Sequence, residues 1–499
     1  MKKAINILSG PILALLFVLF IDLEPTNPLV SRMAAITIWV AVWWLFEVVD
    51  IGVSAFLPLI LMPLCGIMDA KVAANQYIDH IIFLFIGGFL IAFALEKWHL
   101  HHRISLRILM TIGDNPAKIL AGMMFTAYFI SAWMSNTATT LMLYPAVLAV
   151  YTHVKSVSGK PSQNIAIALL LGLAYSASIG GMATLVGTPT NMIFYGYFKN
   201  KFPDDTTLNF LSWCKYGVPV SMGMLVACYV ILRTLYIKKA DNIPFDKSYF
   251  SEGYKRLGEW SREQLIVTFF FVLTVILWFT RADIDLGMMK FEGWGHWFSF
   301  NVMENGVALV KDGKNVMRPF VEESTIAVLI AALFFFIPAK TSTGEKTTLL
   351  TWEDAQKIPL NILLLFGAGF ALGKGFEVSG LSEWIAGRLK FLEGESTLVL
   401  IMCICVVICI ISEFASNVAS IQLSLPILMA ITSNMHIDPI VLMLPATLAA
   451  SLGFMLPVAT APNTIVFSSG LIPVRKMLSA GFFLDIIGII LITLVFMLG

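Results

Sequence analysis

The chain has 499 residues, 58% of them hydrophobic and 13% charged, with 33 Lys and Arg against 32 Asp and Glu. Soluble domains carry about 25% charged residues, so this composition excludes an ordinary water-soluble enzyme. A formal net charge of +1 gives no footing for a nucleic-acid partner.

The apolar residues gather into runs long enough to cross a hydrocarbon core, which takes roughly 20 residues of helix. The first, Ala4 to Leu23, follows Lys2 and Lys3 and imitates a signal peptide. Asp22-Leu23-Glu24-Pro25 is no small-residue cleavage site, so the run is read as a membrane helix. Further spans are expected at 33–49, 52–68, 80–97, 163–186 and 216–237, then at 264–280, 324–338, 359–376, 438–457 and 477–498. Two other stretches, 117–150 and 397–432, carry polar clusters at their middles, Ser135-Asn136-Thr137 and Ser416-Asn417-Val418. A spanning helix is most apolar there. A re-entrant hairpin accounts for each: two half-helices enter from one side, meet at a polar tip and return, with the tip buried in protein or reached by water.

Basic residues orient the chain. With the N-terminus in the cytoplasm, Lys97, Arg103, Arg107, Lys118, Lys155 and Lys160 around the first hairpin fall inside, as do Lys238, Lys239, Lys247, Lys255 and Arg256. Lys340, Lys346, Lys357, Arg475 and Lys476 follow them, while the mixed 281–323 loop faces outward. Eleven spans then leave the C-terminus outside the cytoplasmic membrane.

The chain also repeats. An offset of 281 carries Phe85, Gly88, Phe89 and Glu96 onto Phe366, Gly369, Phe370 and Glu377, and Ser131, Ser135, Asn136, Ala138 and Pro145 onto Ser412, Ser416, Asn417, Ala419 and Pro426. Beyond the hairpins an offset of 272 carries Val186, Thr188, Asn191 and Ile193 onto Val458, Thr460, Asn463 and Ile465. Five spans separate the fourth helix from its repeat mate, and an odd number reverses direction. The expected fold class is therefore an all-α polytopic membrane protein with about eleven transmembrane helices and two re-entrant helical hairpins in two inverted repeats. Residues 1–32 lie outside the repeat; 33–262 hold the hairpin 117–150 and a broken helix 163–195, and 263–499 hold the hairpin 397–432 and a broken helix 438–467. Such repeats place a binding site where they meet, near the midplane.

Four polar segments should converge there: the two tips and the breaks Gly187-Thr188-Pro189-Thr190-Asn191 and Ala459-Thr460-Ala461-Pro462-Asn463. Proline removes a donor and blocks the preceding turn, so each helix should unwind and free carbonyls. Carbonyls with Ser and Asn oxygens form an oxygen-only cage suited to Na⁺, while half-helix N-termini face an anion. Ser131 and Ser135, like Ser412 and Ser416, are spaced i, i+4 and share a helical face. No Lys or Arg occurs in the tips or breaks, so the charge of a di-anion must be offset mostly by co-bound cations and helix dipoles.

These paired tips and breaks resemble the divalent-anion/sodium symporter family, over nearly the whole chain from about residue 35. The resemblance implies sodium-driven import of C4-dicarboxylates such as succinate, malate and fumarate across a bacterial inner (plasma) membrane, by a homodimer moving a transport domain like an elevator. One sodium site would use Ser131, Ser135, Asn136 and the Gly187 backbone, the other Ser412, Ser416, Asn417 and the Ala459 backbone. Substrate carboxylates would meet Ser135, Asn136, Thr137, Ser416, Asn417, Val418, Thr188, Thr460 and Pro462. Na⁺ is the coupling ion, and no organic cofactor is expected. The second tip departs from the family by reading Ser-Asn-Val; Val418 cannot donate, which leaves sulfate and citrate open as substrates. Sodium-independent exchange of dicarboxylates is the other open reading.

Other signals are structural in this reading. The six cysteines serve as small core residues, and Glu96, Lys97, Lys374 and Glu377 sit at helix ends where they reach the interface or pair. Glu413, beside Ser412, is the one acid expected to matter for function. His99, His101 and His102 open a basic amphipathic stretch through Arg107 that reads as an interfacial arm rather than a metal site, with a counterpart near 380–392. The glycines 367, 369 and 373 before Lys374 fail the phosphate-loop spacing, and no catalytic constellation of an enzyme appears.

Overall fold

The computed structural model describes residues 2–498 apart from 113–114, 159–162, 204, 206, 238–247, 286–289, 305–306, 309, 312–313, 316, 342–343 and 390–393. Lys160, Lys238, Lys239 and Lys247, used above to orient the chain, lie outside the described residues.

The first half runs α1 (Lys2–Phe20), α2 (Pro28–Leu45), α3 (Ile51–Ser54), α4 (Leu57–Leu64), α5 (Ala70–Asn75), α6 (His80–Lys97), α7 (Leu100–Ile112), α8 (Pro116–Ser131), α9 (Asn136–Ser158), α10 (Gln163–Ala183), α11 (Pro189–Lys201) and α12 (Phe210–Tyr236). The second continues with α13 (Ser248–Arg256), α14 (Arg262–Arg281), α15 (Glu323–Phe336), α16 (Trp352–Ala355), α17 (Leu360–Ser379), α18 (Leu381–Arg388), α19 (Thr397–Phe414), α20 (Asn417–Met435), α21 (Pro439–Ala449), α22 (Ala461–Phe467) and α23 (Val474–Leu498). From α6 to α12 the order of elements is the order from α17 to α23: long helix, short arm, paired helices, broken helix, long helix. Polar residues start the apolar helices by accepting from the first free amides. Asn27 accepts from Leu29, Asp79 from Ile81, Ser396 from Val399 and Asp438 from Ile440.

Among the described residues nine helices are long and apolar enough to cross a membrane. The chain is a polytopic, almost wholly helical protein. Three expected spans are shorter than predicted: Ile51–Leu64, Glu323–Phe336 and Pro439–Ala449. The reasons are local. The first stretch is interrupted between α3 and α4 and carries Pro58 and Pro63, Glu323–Phe336 ends before Pro338, and the last is the near half of a broken helix. Conversely, α19 and α20 are each long enough to span by themselves, so their pairing through a two-residue break, not their length, is what distinguishes a hairpin. The 281–323 loop contains short antiparallel pairs, among them Ser299–Asn301 against Met317–Pro319 in the register Ser299 to Pro319.

Helix α10 is buried from Ile165 to Ala183, which matches its lack of a polar face. The halves pack reciprocally. Helix α6 lies against α15, and α17 lies against α2, α3 and α4. Glycines permit these approaches: a Cβ on Gly87 would come within 2.6 Å of the Ala327 backbone, and one on Gly375 within 2.8 Å of Met33. At the centre, Phe85 touches its own repeat mate Phe366, ring centroids 5.1 Å apart. A residue in contact with its symmetry mate lies beside the axis relating them, so the pseudo-two-fold passes between α6 and α17.

Candidate functional site

The first tip is the break between α8 and α9, residues 132–135, and the second is Ala415-Ser416 between α19 and α20. The same hydrogen bond closes both: Ser131 Oγ donates to Asn136 Oδ1 at 2.8 Å, and Ser412 Oγ to Asn417 Oδ1 at 2.8 Å. Ser131 and Ser412 are fully buried, while Ser135, Asn136, Thr137, Ser416, Asn417 and Val418 are half-buried. The asparagines and the residues after them stand in the first turns of α9 and α20, where backbone amides lack helical acceptors.

The breaks lie slightly earlier in the chain than expected. Residues 184–188 separate α10 from α11, and 450–460 separate α21 from α22, so Asn191 and Asn463 belong to the distal helices. Pro189 and Pro462 occupy the opening positions of those helices, where a missing amide costs nothing. Proline here starts the second half-helix instead of unwinding the residues that follow it. Each break is held by an asparagine that spans it. Asn191 Nδ2 donates to Gly181 O at 2.9 Å and Thr184 O at 2.8 Å; Asn463 Nδ2 donates to Gly453 O and Leu456 O, both at 3.0 Å. The acceptors lie ten and seven residues upstream in both cases.

Glycine brings break and tip together. A Cβ on Gly181 would sit 2.4 Å from Asn136 Oδ1, and one on Gly187 would sit 2.5 Å from Gly181 O. Ser131, Asn136, Gly181 and Gly187 therefore form one cluster. In the second half, Gly453 lies within 3.4 Å of Ala459, Asn417 Oδ1 and Thr460, measured from the same ideal Cβ, gathering Ser412, Asn417, Ala459 and Thr460. Thr188 and Thr460 cap the distal helices, Thr188 buried, Thr460 accepting from the Asn463 amide at 3.2 Å. Pro462 is buried beside it.

The halves meet across these segments. Helix α11 packs on α20 and α21, α22 packs on α9 and α10, and Thr190 Oγ1 lies 3.3 Å from Ser451 Oγ. Among the described residues no hydrogen bond joins one tip to the other. A cavity of about 170 Å³, lined by Phe85, Gly88, Ser135, Gly187 and Pro189 among others, opens between α6 and the first tip. Val418 instead packs against apolar side chains of both hydrophobic clusters.

Gly181, Gly453, Asn191, Asn463 and Glu413 complete the architecture. No short motif marks the two glycines; their signal is the 272 offset, which carries one onto the other. Glu413, fully buried, accepts from the Met455 amide at 2.8 Å and the Leu456 amide at 3.0 Å, satisfying donors that the second break leaves free. Lys374 pairs with Glu377 at 3.4 Å, and Lys201 also reaches Glu377. Lys97 meets Asp354 at 2.7 Å. Four of the six cysteines are buried.

The chain as a whole is similar to known proteins. The model of the sodium:sulfate symporter transmembrane region matches residues 3–498. The chain belongs to this family. A sodium-dependent dicarboxylate transporter of Staphylococcus saprophyticus is 33% identical over 99% of this chain and 90% of its own length, and that of Staphylococcus aureus shows the same identity and coverage. Among solved structures, the YdaH transporter of Alcanivorax borkumensis superposes with a TM-score of 0.52 over 88% of each chain at 13% identity, a likeness of fold alone. The relatives of the family are transporters, and the chain is a multi-pass membrane protein.

Proposed function

We propose that the chain is a secondary active transporter that couples Na⁺ to the symport of divalent organic anions, C4-dicarboxylates such as succinate, malate and fumarate. The observation that carries this reading is the duplicated cluster of Ser131 with Asn136 and Ser412 with Asn417, each built around a glycine and an unwound backbone. One sodium site uses Ser131, Ser135, Asn136 and the Gly187 carbonyl, and the other Ser412, Ser416, Asn417 and the Ala459 carbonyl. Neutral oxygens at short range suit a hard monovalent cation. Two such ions beside the first turns of α9 and α20 supply positive charge to a substrate that meets no Lys or Arg in the tips. The carboxylates then meet Asn136, Thr137, Asn417, Thr188, Thr460 and Pro462. The dicarboxylate specificity printed for the 33%-identical relatives supports the substrate class.

The two inverted repeats, 33–262 and 263–499, place the hairpins on opposite sides of a bacterial plasma membrane, with the N-terminus cytoplasmic, and residues 1–32 stand outside them. The hairpins and broken helices move together against α6, α17 and their packing partners in a homodimer, in the manner of an elevator. Sulfate is the second reading, favoured by one observation: Val418 presents no donor to a carboxylate and packs into the apolar core.

Thermal unfolding of the purified protein tests the binding order. Succinate is expected to raise the apparent Tm in NaCl and not in choline chloride, and Asn136→Ala and Asn417→Ala should each remove the shift while the protein still expresses. A succinate shift of equal size without Na⁺ would contradict cation-assisted binding.

A further inference from the structure

At the corner between α6 and α7 the chain turns within a few residues. His99 takes a left-handed conformation, φ 55°. Its amide bonds to Glu96 O at 2.9 Å, and the His102 amide bonds to His99 O at 3.2 Å. The turn folds three imidazoles onto one another, with ring centroids 4.2 Å apart for His101 and His102, 5.7 Å for His99 and His102, and 6.0 Å for His99 and His101. One ring nitrogen from each lies within 4.8 Å of the other two.

The central ring is the informative one. His101 is 4% exposed, and its Nδ1 has no hydrogen-bond partner. A buried nitrogen with no partner is costly, and a metal ion removes that cost. Nearby cations are engaged elsewhere: Lys97 is paired with Asp354, and Arg103 donates to Gln264 and to the carbonyls of Leu257 and Glu259.

We propose that His99, His101 and His102 form a three-imidazole site for a divalent transition-metal ion of the Zn²⁺ class, with water completing the coordination, and that the ion pins the corner leading into the arm α7. Imidazole suits Zn²⁺, Co²⁺ and Ni²⁺ over the hard ions. Tetrahedral coordination at 2.0–2.1 Å puts donors about 3.3 Å apart, so the triad must contract. His99 and His102 are exposed and free to rotate inward around the fixed central ring.

The test is a Co²⁺ titration of tag-free full-length protein in detergent, read by visible absorption and then displaced by Zn²⁺. One Co²⁺ per chain is expected, with a d–d band and no strong near-ultraviolet thiolate band, and Zn²⁺ should bleach it. His99→Ala and His102→Ala, both at exposed positions, are each expected to weaken binding about tenfold or more, and the double variant to abolish the band. Absence of the band, a thiolate-type spectrum from the cysteines, or affinity unchanged in the double variant would overturn the site.

Discussion

A single oxygen sets the tolerance of each cluster. Asn136 Oδ1 is held by Ser131, and a Cβ on Gly181 would stand 2.4 Å from it, whereas one on Gly453 would stand 3.4 Å from Asn417 Oδ1. The first contact forces the amide out of place; the second is ordinary van der Waals contact. Gly181→Ala is therefore expected to lower Na⁺-driven uptake about tenfold or more, equivalent to about 1.4 kcal/mol in the barrier. Gly453→Ala should retain most of the rate. Equal effects of the two substitutions in proteoliposome assays would contradict this difference in clearance. At the second tip, Val418→Thr restores a hydroxyl, and its hydrogen bond to a charged group is worth about 1.5–3 kcal/mol. The ranking of succinate against sulfate in competition assays should shift toward succinate; an unchanged ranking would remove position 418 from the substrate site. The serines and asparagines of the tips were legible because they recur at one offset in segments otherwise apolar. Gly181 was not, since nothing in an isolated glycine reports what packs over it.

Helix breaks need their own supports, and here these are side chains that reach across. Replacing Asn191 or Asn463 with Ala removes two donors to carbonyls inside the protein, at a cost of about 1–3 kcal/mol for each group left unpaired. Each variant is expected to lower the apparent Tm in thermal unfolding; a Tm equal to the parent's would mean that the breaks do not depend on these bonds. A second support ties the short α16 to the end of α6. Burial by itself would raise the Asp354 pKa, but Lys97, the Thr351 amide and Lys357 outweigh it and hold the carboxyl well below the usual carboxylate range. A depressed pKa contributes stability above the unfolded value, about 3.9, and loses it only as pH falls through the folded value. Asp354→Asn should therefore lower the apparent Tm equally at pH 6 and pH 8. A deficit that disappears at pH 6 would show that the carboxyl titrates near neutrality. At this scale, periodicity located the apolar runs but overstated three of them. Hydropathy averages across a kink such as that between α3 and α4, and two- or three-residue strands like those within 284–319 are too short to leave a pattern.

Across the whole molecule the repeats lock into one another instead of lying side by side. Each long central helix packs on elements of the other half, α6 on α15 and α17 on α2 to α4, and Phe85 meets Phe366 where the halves are related. This arrangement was legible in outline from the two offsets, because matched polar positions imply matched structure. The reciprocal packing was not, since sequence offsets relate residues within the repeats and carry nothing about which partner each face chooses. Under the proposed function, the same geometry would let a chain with no cation in its tips take up a di-anion, with one oxygen cluster per half holding a Na⁺ on either side of the shared axis.

Uptake of labelled succinate into proteoliposomes tests this most directly. With an inward Na⁺ gradient, succinate is expected to accumulate above its equilibrium level, and replacing Na⁺ by K⁺ or choline should abolish accumulation. Uptake indifferent to Na⁺ that proceeds only against a preloaded anion would contradict the account and make the protein an exchanger.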